Sequence, residues 1–439
     1  MATGQAPAAG RLDQITGWQV RDPTPVAAKE DDAAGVESRY AWFRLAAALA
    51  LSTMGGIGMW SIVVVLPAVQ EEFGAARGDA TLPYTATMVA IAVGGVLMGR
   101  LADRCGTLLP VCWGIAGLAA GYLGAGLAGS LWQFTIVQAL AIGLIGTSAT
   151  FGPLIADVSH WFQRNRGLAI AICACGNYLA GAIWPPVLQY LIDTIGWRET
   201  YFSLSMICVA TMLPLTLALR RPPPRAQPPV QAGAREAESE RPLGLSPNVL
   251  QALLVLAGVA CCVAMAMPQV HVVAYCADLG YGAARGAQML SLMFGFGIVS
   301  RLAAGFIADR IVGLATLVLG SVLQMLALGL YLTFDDLASL YVISALFGLV
   351  QGGIVPSYAI VVRENFPAHE TGQRLGLVLT TTLAGMALGG WLTGVIFDWS
   401  GSYRLAFVHG IAWNLLNAGI AMWLLHRSMG MASPRPALA

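Results

Sequence analysis

Hydrophobic residues along this chain form twelve long stretches, and short polar connections separate them. A helix rises about 1.5 Å per residue, so about twenty apolar residues cross the roughly 30 Å hydrocarbon layer of a bilayer. The pattern therefore predicts an all-α membrane protein with twelve transmembrane helices. The predicted helices cover residues 44–68, 84–104, 111–130, 133–156, 167–191, 200–219, 249–273, 287–308, 314–333, 337–362, 375–396 and 404–425.

Two sequence signatures recur about 206 positions apart. Residues 99–104 read Gly-Arg-Leu-Ala-Asp-Arg, and residues 305–310 read Gly-Phe-Ile-Ala-Asp-Arg. Residues 73–78 read Phe-Gly-Ala-Ala-Arg-Gly, and residues 281–286 have the same sequence except that tyrosine replaces the phenylalanine. Each signature lies at the same place in a set of six predicted helices. The repeat therefore predicts two pseudo-symmetric six-helix bundles, and the interface between such repeats is where transporters hold their cargo.

A stretch rich in proline and mixed charge separates the two sets of helices. That composition is typical of a solvated linker, and the first residues have the composition of a disordered tail. We therefore expect an N-terminal tail over 1–42, a first bundle over 43–219, a linker over 220–247, a second bundle over 248–426 and a C-terminal tail over 427–439.

The composition supports a membrane protein and excludes several other classes. Hydrophobic residues make up 57% of the 439 residues and charged residues only 11%, whereas a soluble domain has roughly 25% charged residues. A formal net charge of +1 argues against nucleic acid as a partner. The eight cysteines fit neither a zinc site nor a disulfide framework, so we interpret them as small buried hydrophobic residues.

The distribution of arginine predicts the orientation in the membrane. With an even number of helices both termini lie on one side, and the opposite side then carries only four arginines: Arg77, Arg198, Arg285 and Arg404. Positive charge accumulates on the cytoplasmic side, so we expect both termini to be cytoplasmic. A single lysine, Lys29, among many arginines, with abundant alanine and glycine, favours a bacterial source and thus a multi-pass protein of the inner (cell) membrane.

Residues 99–106 match the signature Gly-x-Leu-Ala-Asp-Arg-x-Gly of the major facilitator superfamily, which the chain resembles over all twelve helices. This resemblance implies two six-helix bundles that transport by alternating access. Residues 161–169, Trp-Phe-x-x-Asn-Arg-Gly-Leu-Ala, resemble the entry to helix five in the monocarboxylate-transporter branch, including its bacterial oxalate/formate-type members. Arg301 falls on the helix-eight arginine of that branch.

The chain departs from those relatives at three places. Thr107 and Leu108 replace the basic residues that follow the superfamily signature, which puts part of its cytoplasmic ion network in doubt. Gly297 stands where animal monocarboxylate carriers have an aspartate. The predicted helix over 375–396 lacks the basic residue of oxalate carriers.

Arg301 is the main candidate for binding cargo. It precedes Asp309 by eight residues, about 12 Å along a helix, and a guanidinium at that depth costs about 2.5–3.5 kcal/mol unless it faces protein or water. Its planar guanidinium can donate two parallel hydrogen bonds to the two oxygens of a carboxylate. No acidic residue lies in the middle of a predicted helix, and Asp157 comes nearest. An arginine without an acidic partner predicts an open anion site, best suited to one carboxylate. The alternative is a structural arginine that snorkels or bonds to helix carbonyls.

Six further residues are candidates for contact with cargo. His271 is the best protonatable group within the predicted helices, and it suits a proton site, a hydrogen bond to cargo or simple packing. In the resembled family helices one, four, seven and ten usually line the cavity. The other candidates, each of which also fits ordinary packing, are Trp60, Phe151, Asn177, Gln351 and Tyr358.

Four charged residues lie at the predicted cytoplasmic helix ends: Asp103, Arg104, Asp309 and Arg310. Acid and base at these positions can pair across the two bundles in the outward-facing state. We therefore assign them to gating, because breaking such pairs changes the balance of states and not the preference for cargo.

Together these features predict a secondary active transporter of a small organic anion, preferably a monocarboxylate, in the lipid bilayer, with a proton or a counter-anion as the coupled ion and no cofactor. A drug/proton antiporter is the first alternative, although residues 181–186 lack the Gly-Pro-x-x-Gly-Gly pattern of that group. A non-transporting sensor on a carrier scaffold is the second. A membrane enzyme is disfavoured because the sequence shows no paired carboxylates or metal cluster.

Overall fold

The chain is all-helical in a computed structural model that describes residues 36–221, 242–308 and 313–432. Twelve helices are long and apolar enough to cross a membrane, so the predicted number within the described residues is confirmed. They are α1 (Arg39–Phe73), α2 (Arg77–Cys105), α3 (Leu108–Gly126), α4 (Leu131–Trp161), α5 (Arg166–Ile195), α6 (Trp197–Leu219), α7 (Pro247–Asp278), α8 (Ala283–Ala308), α9 (Gly313–Thr333), α10 (Leu337–Asn365), α11 (Ala368–Ser400) and α12 (Tyr403–Ala432).

The first and last helices extend beyond the expected bundle boundaries. Helix α1 begins at Arg39, before the expected boundary at 43, because the Ser38 hydroxyl accepts a hydrogen bond from the Ala41 N–H at 3.2 Å and caps the helix start. Helix α12 continues to Ala432, past the expected boundary at 426. The remaining parts of both expected tails, and residues 222–241 of the expected linker, lie outside the described residues.

Successive helices run in opposite directions, so their connections alternate between two faces of the protein. We call the face that carries Ser38 and Arg221 the proximal face and the opposite one the distal face. On the proximal face the Arg44 Nη1 donates to the Ala218 carbonyl oxygen at 3.0 Å. On the distal face the Arg198 Nη1 donates to the Gly126 carbonyl oxygen, so loop ends far apart in sequence meet on each face.

Exposed tryptophans lie near both ends of the helices. Trp132 and Trp399 are exposed near the distal face, whereas Trp42, Trp113 and Trp423 are exposed in the proximal parts of their helices. Tryptophan is enriched at the two interfaces of a membrane, where its ring meets apolar chains and its N–H meets water. Their positions are those expected of a bundle whose middle faces lipid.

The two halves use the same kind of close helix contact. In the first half a Cβ on Gly94 of α2 would collide with the Leu144 carbonyl oxygen of α4, and in the second half a Cβ on Gly348 of α10 would collide with the Met293 carbonyl oxygen of α8. Small residues allow backbones to approach in this way. Since α2 and α4 correspond to α8 and α10 in the repeat, the contact supports duplication of one unit.

Two repeat-related helices, α4 and α10, are interrupted near their middle. In α4 a π-helical segment over Gln138–Thr147 precedes a break, after which the helix restarts at Gly152–Trp161. In α10 the helix stops at Gln351 and restarts at Ile354–Asn365. Pro153 and Pro356 stand just beyond the two breaks, and each lacks the backbone N–H that would continue the helical hydrogen bonds. Interruptions at matching places in two repeats are typical of the cargo region of transporters.

Candidate functional site

Arg301 crosses the seam between the two halves. It belongs to α8 of the second half, and its Nη1 donates to the Ala174 carbonyl oxygen of α5 at 3.0 Å. Its guanidinium carbon lies 4.4 Å from the centroid of the Tyr178 ring, also in α5. The side chain is only partly exposed. A cation of the second half is therefore held by a carbonyl and a ring of the first.

The Ala174 carbonyl is available because α5 is broken beside it. The helix stops at Ala174, turns at Cys175 and restarts at Gly176. A helix end leaves its last carbonyl groups without intrahelical partners, and the negative end of the helix dipole attracts a cation. The break in α5 thus explains why a guanidinium is stable at this depth.

No carboxylate among the described residues forms an ion pair with Arg301. Its Nε is buried and has no hydrogen-bond partner, and no described group accepts from its Nη2. Asp157 is engaged elsewhere, since both of its oxygens accept from Arg44 at 2.7 Å. The alternative role for Arg301, a bond to a helix carbonyl, is therefore present for one nitrogen, while Nε and Nη2 have no acceptor among the described residues.

An aromatic cluster, which we define as Trp60, Tyr178 and Phe294, closes the seam on the distal side of Arg301. The Phe294 ring centroid lies 4.1 Å from that of Trp60 and 5.5 Å from that of Tyr178. The Trp60 Nε1 donates to the Asn177 carbonyl oxygen at 3.2 Å. Three of the sequence-predicted site residues, Arg301, Asn177 and Trp60, are thus brought together.

Gly297 provides the space that the Tyr178 ring occupies. A Cβ at position 297 would lie 2.6 Å from the Tyr178 Cε1 atom, closer than real Cβ contacts. The position at which animal carriers have an aspartate therefore holds no side chain here, and an aromatic ring takes the place beside the arginine.

Gln351 lies at the end of the first segment of α10 and is fully buried. Its side-chain oxygen accepts a hydrogen bond from Gln269 of α7, and its own Nε2 has no partner among the described residues. The adjacent Gly352 packs against the Gly297 carbonyl oxygen, one turn from Arg301. Gln351 therefore has an unpartnered amide at a point where α10 packs against α8.

Tyr358 and Phe151 are not brought to Arg301 by any contact within the described part of the chain. The Tyr358 hydroxyl is buried and donates to the Asn417 Oδ1 of α12 at 2.7 Å, so it joins helices inside the second half. Phe151 is exposed at the break in α4.

His271 also lies apart from Arg301. It is fully buried, its Nε2 lies 2.9 Å from the Gly390 carbonyl oxygen, and its Nδ1 lies 3.4 Å from the Tyr403 hydroxyl. A neutral ring that donates from Nε2 and accepts at Nδ1 satisfies both contacts. His271 thus joins α7 to α11 and α12 within the second half, next to the distal contacts between the halves.

Those distal contacts centre on Arg77, at the start of α2. The backbone N–H groups of Arg77 and Gly78 donate to the Asp398 carboxylate at 2.8 and 2.6 Å, and the Arg77 guanidinium donates to the Tyr403 hydroxyl at 2.8 Å and to Asp278 at 3.1 Å. Arg77 belongs to the first half and its three side-chain partners to the second. Together they close the distal face.

The repeat-related residues do not make the same contact. Arg285 corresponds to Arg77, and Asp193 corresponds to Asp398, three residues before the matching glycine. Both are exposed: Arg285 donates to Gln288 at 3.3 Å, and Asp193 accepts from Gln189 at 2.8 Å. Within the described residues no hydrogen bond joins Arg285 or Gly286 to Asp193, so the contact of Arg77 and Gly78 with Asp398 has no counterpart at the repeat-related residues.

The predicted gating residues are unpaired on the proximal face, as far as they are described. Asp103 and Arg104 are exposed and make no hydrogen bond or ion pair to a described residue. Asp309 and Arg310 lie outside the described residues. Among residues 36–221, 242–308 and 313–432, the bond between Arg301 and Ala174 is the most proximal hydrogen bond between the halves. The hydrogen bonds between the described parts of the two halves therefore extend from Arg301 at the seam to the distal face.

Comparison with known proteins identifies related sequences and structures. The family model described as Major Facilitator Superfamily matches residues 48–337 and 312–437. Monocarboxylate transporter 13 of Bos taurus is 29% identical over 295 residues, covering 65% of this chain and 67% of that protein. Agnestins efflux protein AgnL12 of Paecilomyces divaricatus is 24% identical over 316 residues, covering 72% and 71%.

A similar fold occurs among solved structures. The crystal structure of a bacterial homolog to the human lysosomal transporter Spinster, in an inward-facing and occupied conformation, superposes with a TM-score of 0.71. It is 14% identical in sequence and covers 91% of this chain and all of that one. At this identity the likeness concerns the arrangement of the helices.

Proposed function

The chain belongs to the Major Facilitator Superfamily, and on that basis we propose that it is a secondary active transporter that moves a small organic anion, a monocarboxylate, by alternating access. The observation that carries the proposal is Arg301, a guanidinium at the seam whose Nε and Nη2 have no acceptor among the described residues. A buried donor without a partner is costly, and an anionic cargo supplies the missing acceptor.

The surroundings of Arg301 suit a cargo with one charged end and an apolar body. The aromatic cluster offers an apolar surface on the distal side. Gln351, where α10 packs against α8, has one amide donor without a partner among the described residues. Sites of this composition hold small ligands by apolar contact and use few polar groups for orientation. The relative named as a monocarboxylate transporter is consistent with this assignment.

The arrangement of the halves suggests how the cycle proceeds. The distal contacts of Arg77 are closed while Asp103 and Arg104 are unpaired, so cargo has access from the proximal face. Arginine is concentrated on that face, which supports a cytoplasmic location for it in a bacterial inner membrane. In the opposite state we propose that Asp103 and Arg104 engage Asp309 and Arg310, and that the contacts of Arg77 open.

Binding is tested by the thermal shift of the purified full-length protein with formate, acetate, pyruvate and benzoate. A ligand at 100 times its dissociation constant stabilises the folded state by about 2.7 kcal/mol. We expect at least one carboxylate to raise the unfolding temperature of the unmodified protein and to leave Arg301→Lys and Arg301→Gln unchanged. The matched control is Arg285→Lys, an exposed arginine in the same helix, which should respond as the unmodified protein does. Absence of a response to all four carboxylates would overturn the anion assignment.

Transport is tested in liposomes with the carboxylate that binds. Uptake is measured with an imposed proton gradient and, separately, with the same anion inside the vesicles, which identifies the coupled ion as a proton or a counter-anion. Binding without flux under both conditions would instead identify a sensor.

A drug/proton antiporter is the second candidate, and the similarity to a fungal efflux protein favours it. Such a carrier would bind lipophilic cations, which an unpaired guanidinium at the seam repels. Tetraphenylphosphonium added to the same screen separates the two functions: stabilisation by this cation, without stabilisation by the carboxylates, would replace the first proposal by the second.

A further inference from the structure

Within the proposed function, in which a cargo anion contacts Nε and Nη2 of Arg301, we infer that Tyr178 is a positioning residue that holds the guanidinium for this contact. The basis is a second arginine in the same protein, Arg44, which has the same kinds of partner as Arg301 and in addition holds a carboxylate.

Arg44 shows a complete set of partners. Its Nε and Nη2 donate to the two Asp157 oxygens, each at 2.7 Å. Its Nη1 donates to the Ala218 carbonyl oxygen at 3.0 Å and to the Arg221 carbonyl oxygen at 2.9 Å, at the end of α6. Its guanidinium carbon lies 4.7 Å from the centroid of the Trp161 ring. A ring, helix-end carbonyls and a bidentate carboxylate thus surround one guanidinium.

Arg301 has the first two partners and lacks the third. Its Nη1 donates to the Ala174 carbonyl oxygen at 3.0 Å, at the end of a helical segment. The Tyr178 ring lies 4.4 Å from its guanidinium carbon. On Arg301 no described group accepts at the edge that Asp157 occupies on Arg44, and the buried Nε has no hydrogen-bond partner. A carboxylate is the ligand whose two oxygens match that edge.

The ring orients the guanidinium without neutralising it. An aromatic ring attracts a cation through its face, so the N–H groups in the guanidinium plane stay free for other acceptors. A protein carboxylate at this place would occupy the same two N–H groups that cargo needs. Because Gly297 has no side chain, the Tyr178 ring of the first half fits beside Arg301 of the second half, and the ring leaves the Nε and Nη2 hydrogens of the guanidinium without an acceptor among the described residues.

The position of the ring is itself fixed by neighbours. Tyr178 packs edge-on against Phe294 at 5.5 Å, and Asn177, next to it in α5, accepts from the Trp60 Nε1 at 3.2 Å. Since Phe294 lies in α8 with Arg301, the ring contacts α8 at two places. Tyr178 therefore couples the placement of the guanidinium to the closed distal part of the seam.

The test measures the dissociation constants of formate, acetate, pyruvate and benzoate for the full-length protein by isothermal titration calorimetry. Tyr178→Phe keeps the ring and should bind within about twofold of the unmodified protein. Tyr178→Leu loses the cation–π contact and should bind about tenfold more weakly, which corresponds to about 1.4 kcal/mol. Tyr190→Leu, an exposed tyrosine in the same helix, is the control and should bind normally.

A double-mutant cycle distinguishes positioning from general damage to the fold. Gly297→Ala should weaken binding because its methyl group displaces the Tyr178 ring, whereas Gly295→Ala, which meets nothing within 4 Å, should have no effect. In the Tyr178→Leu background the effect of Gly297→Ala should largely disappear. Additive effects of the two substitutions would contradict the assigned role of the ring.

The outcomes separate this inference from the proposed function. If none of the four carboxylates binds the unmodified protein, the proposed function fails and this inference fails with it. If they bind, and Tyr178→Leu or Arg301→Lys binds as tightly as the unmodified protein, the geometry at Arg301 is wrong while an anion transporter remains. Loss of affinity in both Tyr178→Leu and Tyr178→Phe would show that the hydroxyl, and not the ring face, is required.

Discussion

The Asp398 carboxylate caps the helix that begins at Arg77, although the two residues are 321 positions apart and belong to different halves of the protein. One carboxylate oxygen accepts from the Arg77 N–H at 2.8 Å and the other from the Gly78 N–H at 2.6 Å. The first N–H groups of a helix have no intrahelical acceptor. Opening of the distal face therefore requires these two donors to lose a charged partner.

The first prediction is that Asp398→Ala favours the distally open state. A hydrogen bond to a charged group contributes about 1.5–3 kcal/mol, and the substitution removes two such bonds that exist in the distally closed state alone. We expect the population ratio of open to closed to rise about tenfold or more.

The population is measured by spin-label distances between the two halves. Labels at Leu127→Cys and Phe334→Cys, both exposed near the distal face, report on opening after Cys105 and Cys112 have been replaced by serine. The control is Asp193→Ala, the repeat-related carboxylate, which holds no contact between the halves and should leave the distances unchanged. An equal shift of the spin-label distances in both variants would contradict the proposal that Asp398 stabilises the distally closed state.

The second prediction concerns the buried pair of Arg44 and Asp157, whose side chains are exposed by 2% and 1%. Removal of one partner leaves an uncompensated buried charge, which typically costs about 3–5 kcal/mol. Arg44→Leu should therefore lower the unfolding temperature in detergent strongly, and the pair Arg44→Leu with Asp157→Leu should recover much of the loss. Arg285→Leu, at an exposed site, should change stability by less than about 0.5 kcal/mol. A double variant no more stable than Arg44→Leu would contradict this account.

The sequence was sufficient for the helices and for the depth of Arg301. Membrane-spanning helices are long, and their apolar residues are local in sequence, so hydropathy alone locates all twelve. The cost of a guanidinium in a hydrocarbon layer likewise indicates that Arg301 faces protein or water without knowledge of its neighbours.

The partners of the polar residues could not be predicted in the same way. Arg44 binds Asp157 across 113 positions, and Tyr178 reaches Arg301 only because α5 breaks at Cys175 and Gly297 lacks a side chain. These contacts depend on how helices approach one another. The sequence analysis assigns Arg77 to the connection between the first two predicted helices, whereas in the structure α2 begins at this residue. Its burial follows from the packing of α11 against α2 and has no local signal.

The third prediction is that His271→Gln leaves the pH dependence of transport unchanged. The neutral histidine ring satisfies both of its contacts, with Gly390 and Tyr403, and the Arg77 guanidinium bonded to Tyr403 opposes a second positive charge nearby. Asp398 carries a charge of opposite sign on the same distal side, and its oxygens are engaged by two N–H groups. The glutamine amide can donate to the Gly390 carbonyl oxygen in place of the ring. A displaced midpoint in the pH profile of anion flux would assign a proton role to His271.

The last prediction concerns the close contact between α8 and α10. A Cβ on Gly348 would collide with the Met293 carbonyl oxygen, so Gly348→Ala forces the two backbones apart. Overpacking of this kind costs typically about 1–3 kcal/mol, and the unfolding temperature, followed by tryptophan fluorescence in detergent, should fall. Gly329→Ala is the matched control, because position 329 is also helical and meets nothing within 4 Å. There alanine should raise stability by up to about 1 kcal/mol through its greater helix propensity. The changes in stability expected at the two helical glycines have opposite signs, so the comparison separates the effect of interhelical contact from that of helix propensity. A rise in stability at both positions would show that α8 and α10 tolerate a wider separation.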